Sequence, residues 1–171
     1  APIIYWFLII SFTEELFKYL VVKLKVLGNP EFDEPVDIMI YMVVSALGFA
    51  AVENIFYIVS LSGNLSFNDA IFTTIIISLL RFVGATFLHT LCSAMVGYFL
   101  AKSFYHSKNR LSLLVLGILI ATLLHGIYNF SIMTIEGPMK IAALMLILAA
   151  LAIFIMAVFE KLKKLKSICE T

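Results

Sequence analysis

The run Phe12-Thr13-Glu14-Glu15-Leu16-Phe17-Lys18 places three ionisable side chains inside an apolar stretch that is long enough to span a membrane. Three more apolar stretches carry polar or ionisable residues in the same way: Phe49-Ala50-Ala51-Val52-Glu53-Asn54, Leu88-His89-Thr90-Leu91-Cys92-Ser93 and Leu124-His125-Gly126-Ile127-Tyr128-Asn129. An ionisable group inside a span costs about 2.5–3.5 kcal/mol on insertion scales, so such groups are usually retained for a function. Carboxylates and imidazoles at membrane depth therefore predict a buried polar site.

The composition indicates a membrane protein. Of the 171 residues, 63% are hydrophobic and only 13% are charged, whereas a soluble domain is about half apolar and a quarter charged. We therefore expect an all-α polytopic bundle of transmembrane helices that forms a single integral-membrane domain over residues 1–171. We expect the bundle to lie in a lipid bilayer. The formal net charge of +1 gives no reason to expect a nucleic-acid partner.

Polar breaks divide the chain into about five spans. They lie at approximately residues 1–27, 36–61, 68–104, 111–134 and 139–160, and a basic tail follows at 161–171. A helix over the third stretch would be about 54 Å long, well beyond a hydrocarbon core of about 30 Å. That stretch is therefore either one tilted crossing or two short passes broken near Gly84. One crossing places the basic clusters around Lys25, Lys108 and Lys164 on the same side, which the positive-inside rule identifies as cytoplasmic.

This topology places the ionisable residues of different spans at similar depths. At helical rise, Glu14, Glu53, His89 and His125 all lie about 16–26 Å from the cytoplasmic boundary. Their common depth predicts that they meet in one site. Arg81 lies nearer the outer side, where it pairs with a glutamate, holds a substrate carbonyl or anchors its helix at the interface.

The glutamate pair suits acid–base chemistry. Lys18 follows Glu14 by four residues and Glu15 by three, so it can pair with either carboxylate on a helix. Adjacent carboxylates in a low dielectric cannot both ionise easily and are expected to titrate as a coupled pair, as a general acid or base requires. The alternative is a structural Glu–Lys pair that locks a helix interface.

The two histidines add a second kind of chemistry. His89 and His125 with Glu53 would form a zinc site, or would activate water and stabilise an oxyanion without metal. Asn54 and Asn129 are further candidates for the site, Asn129 because it follows His125 by four residues. Glu53 and Asn54 as helix-joining residues, and the histidines as hydrogen-bonded interface residues, are the structural alternatives. No His-Glu-x-x-His motif, the usual metalloprotease signature, occurs in the sequence.

The ordered motifs resemble those of the PrsW family of intramembrane proteases, which is related to the CAAX prenyl endopeptidases and the CPBP group. The resemblance rests on Glu14-Glu15-x-x-Lys18, Phe32-Asp33-x-Pro35-x-Asp37, Phe49-x-x-x-Glu53-Asn54, His89 and His125-x-x-x-Asn129, between about residues 12 and 130. It implies a membrane peptidase, since bacterial members are similar to site-1 proteases that cleave anti-sigma factors in stress signalling. At position 129 many relatives have aspartate, which leaves metal use open.

The sequence thus predicts an intramembrane endopeptidase of a prokaryotic cell membrane with a cytoplasmic C-terminus. Its expected partner is a single-span or membrane-associated protein substrate. Glu14 or Glu15 would activate water, Lys18 would orient or balance the pair, and the histidines, Glu53 and the asparagines would hold zinc or support a metal-free reaction. The alternatives are a proton- or ion-coupled transporter, and a catalytically inactive CPBP-like helper or immunity protein. Transport would favour an internal repeat, and none is apparent.

Overall fold

The computed structural model describes residues 5–29, 34–62, 67–105 and 107–165. Within these ranges the chain is helical and has no strands, which confirms the expected all-α bundle. The elements are a π-helical turn Tyr5–Ser11, α1 (Phe12–Lys25), α2 (Pro35–Ser62), α3 (Phe67–Arg81), a π-helical turn Phe82–Thr86, α4 (Phe87–Tyr105), a 3₁₀ turn Ser107–Asn109, α5 (Arg110–Thr134) and α6 (Pro138–Leu162). Phe32 and Asp33 of the predicted motif, and the tail after residue 165, lie outside the described residues.

Four helical stretches of the described chain are long and apolar enough to cross a membrane. They are Pro35–Ser60, Ile71–Tyr105, Arg110–Thr134 and Pro138–Leu162, so the protein is an integral membrane protein. The predicted first span corresponds to the turn Tyr5–Ser11 together with α1. It is less apolar than the other four because it carries the Glu14-Glu15 pair and Lys18 near its middle.

The long third stretch is one continuous helical rod from Phe67 to Tyr105. It widens into the π-helical turn Phe82–Thr86 around Gly84. This is the position near which the sequence allowed a break between two short passes. A Cβ atom on Gly84 would lie 2.6 Å from the hydroxyl oxygen of Tyr128 on α5, so only glycine allows this approach. Such turns are frequent at functional sites, and here His89 follows within one helical turn.

Helix α4 lies at the centre of the bundle and packs against α2, α5 and α6. Residues 91–97 of this helix are all buried. The outward faces of the bundle carry large apolar side chains such as Leu24, Phe56 and Leu80, as helices surrounded by lipid require. The fold thus surrounds one central helix, and His89 lies near the start of that helix.

The close approach of α4 to α2 predicts a difference between two glycines. A Cβ atom on Gly97 would lie 2.8 Å from the Cα atom of Met39, whereas one on Gly48 would meet nothing within 4 Å. Gly97→Ala therefore forces the two helices apart and is expected to cost about 1–3 kcal/mol of unfolding free energy. Gly48→Ala is expected to be neutral or stabilising by up to about 1 kcal/mol, since alanine favours helix. Unfolding in mixed micelles measures both variants, and equal losses would contradict the close helix approach.

Candidate active site

Four helices bring the ionisable residues of the separate spans into one buried cluster. The cluster consists of Glu14, Glu15 and Lys18 from α1, Glu53 from α2, His89 from α4 and His125 from α5. The two imidazole rings are each 2% exposed. Their centroids lie 4.8 Å apart and their planes are nearly perpendicular, at 87°. The structure therefore gathers the residues for which the sequence predicted a common depth.

The Glu14 carboxylate lies between the two imidazoles. Its Oε2 atom is 3.7 Å from Nε2 of His125 and 3.8 Å from Nδ1 of His89. Both distances exceed hydrogen-bond length, and this oxygen is buried without a hydrogen-bond partner among the described residues. One ligand atom from each of Glu14, His89 and His125 lies within 4.8 Å of the others. A carboxylate oxygen and two imidazole nitrogens placed in this way form a donor set that suits a divalent cation.

Glu15 fixes the orientation of His125. Its Oε1 atom lies 2.9 Å from Nδ1 of His125 and 2.6 Å from Nζ of Lys18, and Ser93 Oγ donates to its Oε2 atom at 3.4 Å. Glu15 is fully buried, and both of its oxygens are engaged. In the neutral ring, Nδ1–H donates to Glu15 and the lone pair of Nε2 points toward Glu14. A carboxylate on the far nitrogen is typical of metal-binding histidines.

Glu53 fixes the orientation of His89 in a similar way. Its Oε2 atom lies 2.9 Å from Nε2 of His89, while Nζ of Lys18 lies 2.8 Å from Nδ1 of the same ring. A lysine ammonium has donors only, so Nδ1 accepts and the ring proton is on Nε2, which donates to Glu53. Both histidines therefore direct an unprotonated nitrogen toward the Glu14 side of the cluster.

Arg81 supports Glu53 from α3. Its guanidinium lies 3.1 Å from Glu53 Oε2, and its Nε donates to Asn54 Oδ1 at 2.6 Å. Asn54 in turn donates to Thr86 Oγ1 at 3.1 Å. Asn54 thus contacts Arg81 and Thr86, and it is linked to His89 through Arg81 and Glu53. The sequence did not single out Thr86, because a hydroxyl in an apolar helix is usually satisfied by its own backbone.

Asn129 follows His125 by four residues on α5 and is half-buried. Among the described residues it forms no hydrogen bond to the cluster. Its role in the site therefore stays a prediction from the sequence.

The cluster is closed on the Glu15 side and accessible on the Glu53 side. The side chain of Glu15 has no exposed area, whereas that of Glu53 is 37% exposed. A cleft of about 500 Å³ beside Glu53 is lined by Asn54, Arg81 and residues of α2 and α3 that include Thr74 and Ser78. A second cleft of about 350 Å³ is lined by Glu53, Phe56, Tyr57 and Ser60. Both clefts therefore lie on the α2–α3 side of the bundle, where Glu53 is the residue of the cluster that lines one of them.

Residues 1–159 match the family described as PrsW family intramembrane metalloprotease. The chain belongs to the PrsW family. It is 34% identical over 121 residues to Protease PrsW of Oceanobacillus iheyensis, covering 71% of this chain and 51% of that protein. It is 33% identical over 129 residues to Protease PrsW of Clostridioides difficile, covering 74% and 51%, and 30% identical over 125 residues to Protease PrsW of Bacillus subtilis, covering 72% and 52%. The chain spans about half the length of the curated relatives it matches, and no solved structure matches it.

The PrsW-family description as a metalloprotease agrees with the donor set of this chain. The set that the structure gathers is Glu14, His89 and His125, whereas the sequence suggested Glu53 with the same two histidines. The difference arises because Glu53 reaches the far nitrogen of His89 and Glu14 lies between the rings. Depth along a helix does not reveal which carboxylate faces which nitrogen.

Proposed function

We propose that this protein is an intramembrane endopeptidase that hydrolyses peptide bonds of membrane-associated proteins. The observation that carries the proposal is the buried Glu14 Oε2 atom, which lies 3.7 and 3.8 Å from nitrogens of His125 and His89 and has no hydrogen-bond partner in the described part of the chain. Family membership and the name Protease PrsW of the relatives support it. Because the relatives are about twice as long, the activity of the whole protein belongs to the proposal.

Glu14 is the carboxylate best placed to activate water. Both oxygens of Glu15 are engaged by other side chains, whereas Glu14 Oε2 has no hydrogen bond to any residue that the structure describes. A carboxylate has two oxygens, so one oxygen of Glu14 can hold the ion while the other accepts a proton from the attacking water and returns it to the leaving amine. Glu15 and Glu53 hold the rings of His125 and His89 in place during the reaction.

The donor set favours the metal-dependent alternative over the metal-free one. A metal-free oxyanion site needs N–H donors, but in their neutral forms the two histidines place their N–H groups against Glu15 and Glu53 and their unprotonated nitrogens on the Glu14 side. We propose that Glu14, His89 and His125 hold a divalent cation, with zinc preferred by imidazole and carboxylate ligands. Such an ion supplies a Lewis acid that polarises the scissile carbonyl and acidifies water.

The substrate is proposed to be a single-span or membrane-associated protein that approaches between α2 and α3. Peptide groups unwound inside a membrane lack water and need hydrogen-bond partners. The cleft beside Glu53 offers Asn54, Thr74 and Ser78 for this purpose. The side chain of Glu53 is 37% exposed, whereas that of Glu15 has no exposed area, and this difference supports the same direction of approach.

Purified protein and a panel of single-span substrates in proteoliposomes test the function. We expect cleavage, about one zinc ion per chain, loss of both on chelation, and recovery on zinc addition. His125→Ala is expected to lose zinc and cleavage together, while His106→Ala, a histidine of the basic loop, keeps both. Full cleavage by metal-free protein would overturn the metal centre. Absence of cleavage by zinc-loaded protein across the panel would overturn the peptidase.

We also propose that residues 1–171 form one integral-membrane domain in a prokaryotic cell membrane, with a cytoplasmic C-terminus. The unbroken helix Phe67–Tyr105 supports a single crossing. In that case Lys25, Lys108 and Lys164 lie on one side, and Glu136 lies on the other.

Single cysteines at these four positions, in a Cys92→Ala, Cys169→Ser background, can be labelled with an impermeant maleimide. We expect cysteines at the three lysine positions to react only in inverted vesicles and the cysteine at position 136 only in right-side-out vesicles. Labelling of position 25 from the side of the membrane opposite to position 108 would refute this topology.

A further inference from the structure

Lys18 belongs to the buried cluster, but the proposed hydrolytic reaction assigns it no step. Its Nζ atom lies 2.8 Å from His89 Nδ1 and 2.6 Å from Glu15 Oε1. It also lies 4.9 Å above the Phe49 ring. The residue is only 1% exposed, so the ammonium group is held between these groups away from solvent.

The nitrogen that Lys18 contacts is the one a metal ion would need. Nδ1 of His89 faces Glu14 Oε2 at 3.8 Å, whereas Nε2 faces away to Glu53 at 2.9 Å. An imidazole nitrogen has one lone pair, and the ammonium of Lys18 can only donate to it. A cation and Lys18 therefore cannot use Nδ1 at the same time.

We propose that Lys18 is an internal competitor of the metal ion at His89 and thereby sets the affinity of the site. The inference rests on the metal centre of the proposed function. When the ion binds, the ammonium group leaves Nδ1 and keeps its ion pair with Glu15. The lysine thus lowers the affinity in two ways, since its hydrogen bond must break and its charge repels the ion.

Zinc affinity tests the competition without an activity assay. Affinities are measured by titration against a chelating indicator dye, with the full chain in detergent micelles. Lys18→Met is expected to bind zinc at least tenfold more tightly than the wild type, and Lys18→Gln, which retains a neutral donor, to lie between them. Lys23→Met removes the same charge from an exposed side chain of the same helix, and its affinity is expected to stay within twofold.

A double-mutant cycle separates competition at His89 from general electrostatics. In a His89→Ala background, Lys18→Met is expected to give a clearly smaller gain, because the contested nitrogen is absent and only the charge repulsion of the ion remains. A gain of the same size in that background would overturn the inference.

A measurement on the wild type needs no folded Lys18 variant. In protein labelled with ¹⁵N-histidine, zinc is expected to shift the Nδ1 resonance of His89 while Nε2 stays protonated. A shift at Nε2 instead would overturn the competition. Zinc binding by the wild type with unchanged affinity in both Lys18 variants would overturn it as well and leave the metal centre intact. Absence of zinc binding in all variants would overturn the metal centre itself.

Discussion

Glu14→Gln is expected to lower the rate of substrate cleavage by about 10²–10⁴-fold, the contribution of a general base. Glutamine keeps the size of the side chain but cannot accept the proton of the attacking water. The variant is expected to fold normally, because within residues 5–29, 34–62, 67–105 and 107–165 the Oε2 atom of Glu14 forms no hydrogen bond that the amide would break. Cleavage rate and unfolding midpoint, measured on the same preparation, check both parts of the expectation.

Glu136→Gln is the matched control, since it makes the same chemical change at an exposed position. Its cleavage rate is expected to equal that of the wild type. The zinc content of Glu14→Gln then separates two roles of the carboxylate. Loss of zinc with loss of cleavage assigns Glu14 as a ligand, and loss of cleavage alone assigns it as the base. Cleavage by Glu14→Gln within about threefold of the wild type would exclude both roles.

The sequence predicts the helices and the depth of the site in the membrane well, because both depend on the length and hydropathy of the apolar runs. Apolar runs of span length led to α2, α5 and α6, and counting residues from the predicted cytoplasmic ends of the spans placed Glu53 and His125 at similar depths. Of the alternatives that the sequence left open for Arg81, the pairing with a glutamate is present as the contact with Glu53. These features follow from one dimension of the molecule, the position along the membrane normal.

The contacts within that layer depend on helix rotation and side-chain rotamers, which hydropathy does not determine. Glu14 rather than Glu53 lies between the imidazoles, and Asn54 accepts a hydrogen bond from Arg81. The π-helical turn Phe82–Thr86 changes the rotation of α4 relative to α3. No periodicity in the sequence indicates this turn, so the partners of His89 required the structure.

Glu15→Ala is expected to destabilise the protein by about 3–5 kcal/mol, the cost of removing one partner of a buried ion pair. Glu15 and Lys18 have no exposed side-chain area and lie 2.6 Å apart. Without the carboxylate, the Lys18 ammonium is left buried with a single acceptor on His89, and His125 loses the acceptor of its Nδ1 proton. Unfolding in mixed detergent micelles measures the loss.

Glu160→Ala is the control, because Glu160 and Lys163 form a pair with the same three-residue spacing at 3.2 Å. Their side chains are 63% and 51% exposed, so breaking this pair is expected to cost about 0–1 kcal/mol. The double variant Glu15→Leu, Lys18→Met removes both buried charges and is expected to recover a large part of the loss, since buried pairs can often be replaced by apolar residues. If Glu15→Ala were no more destabilising than Glu160→Ala, the buried pair would not stabilise the bundle. If the double variant were less stable than Glu15→Ala, the loss would come from His125 rather than from the unpaired lysine.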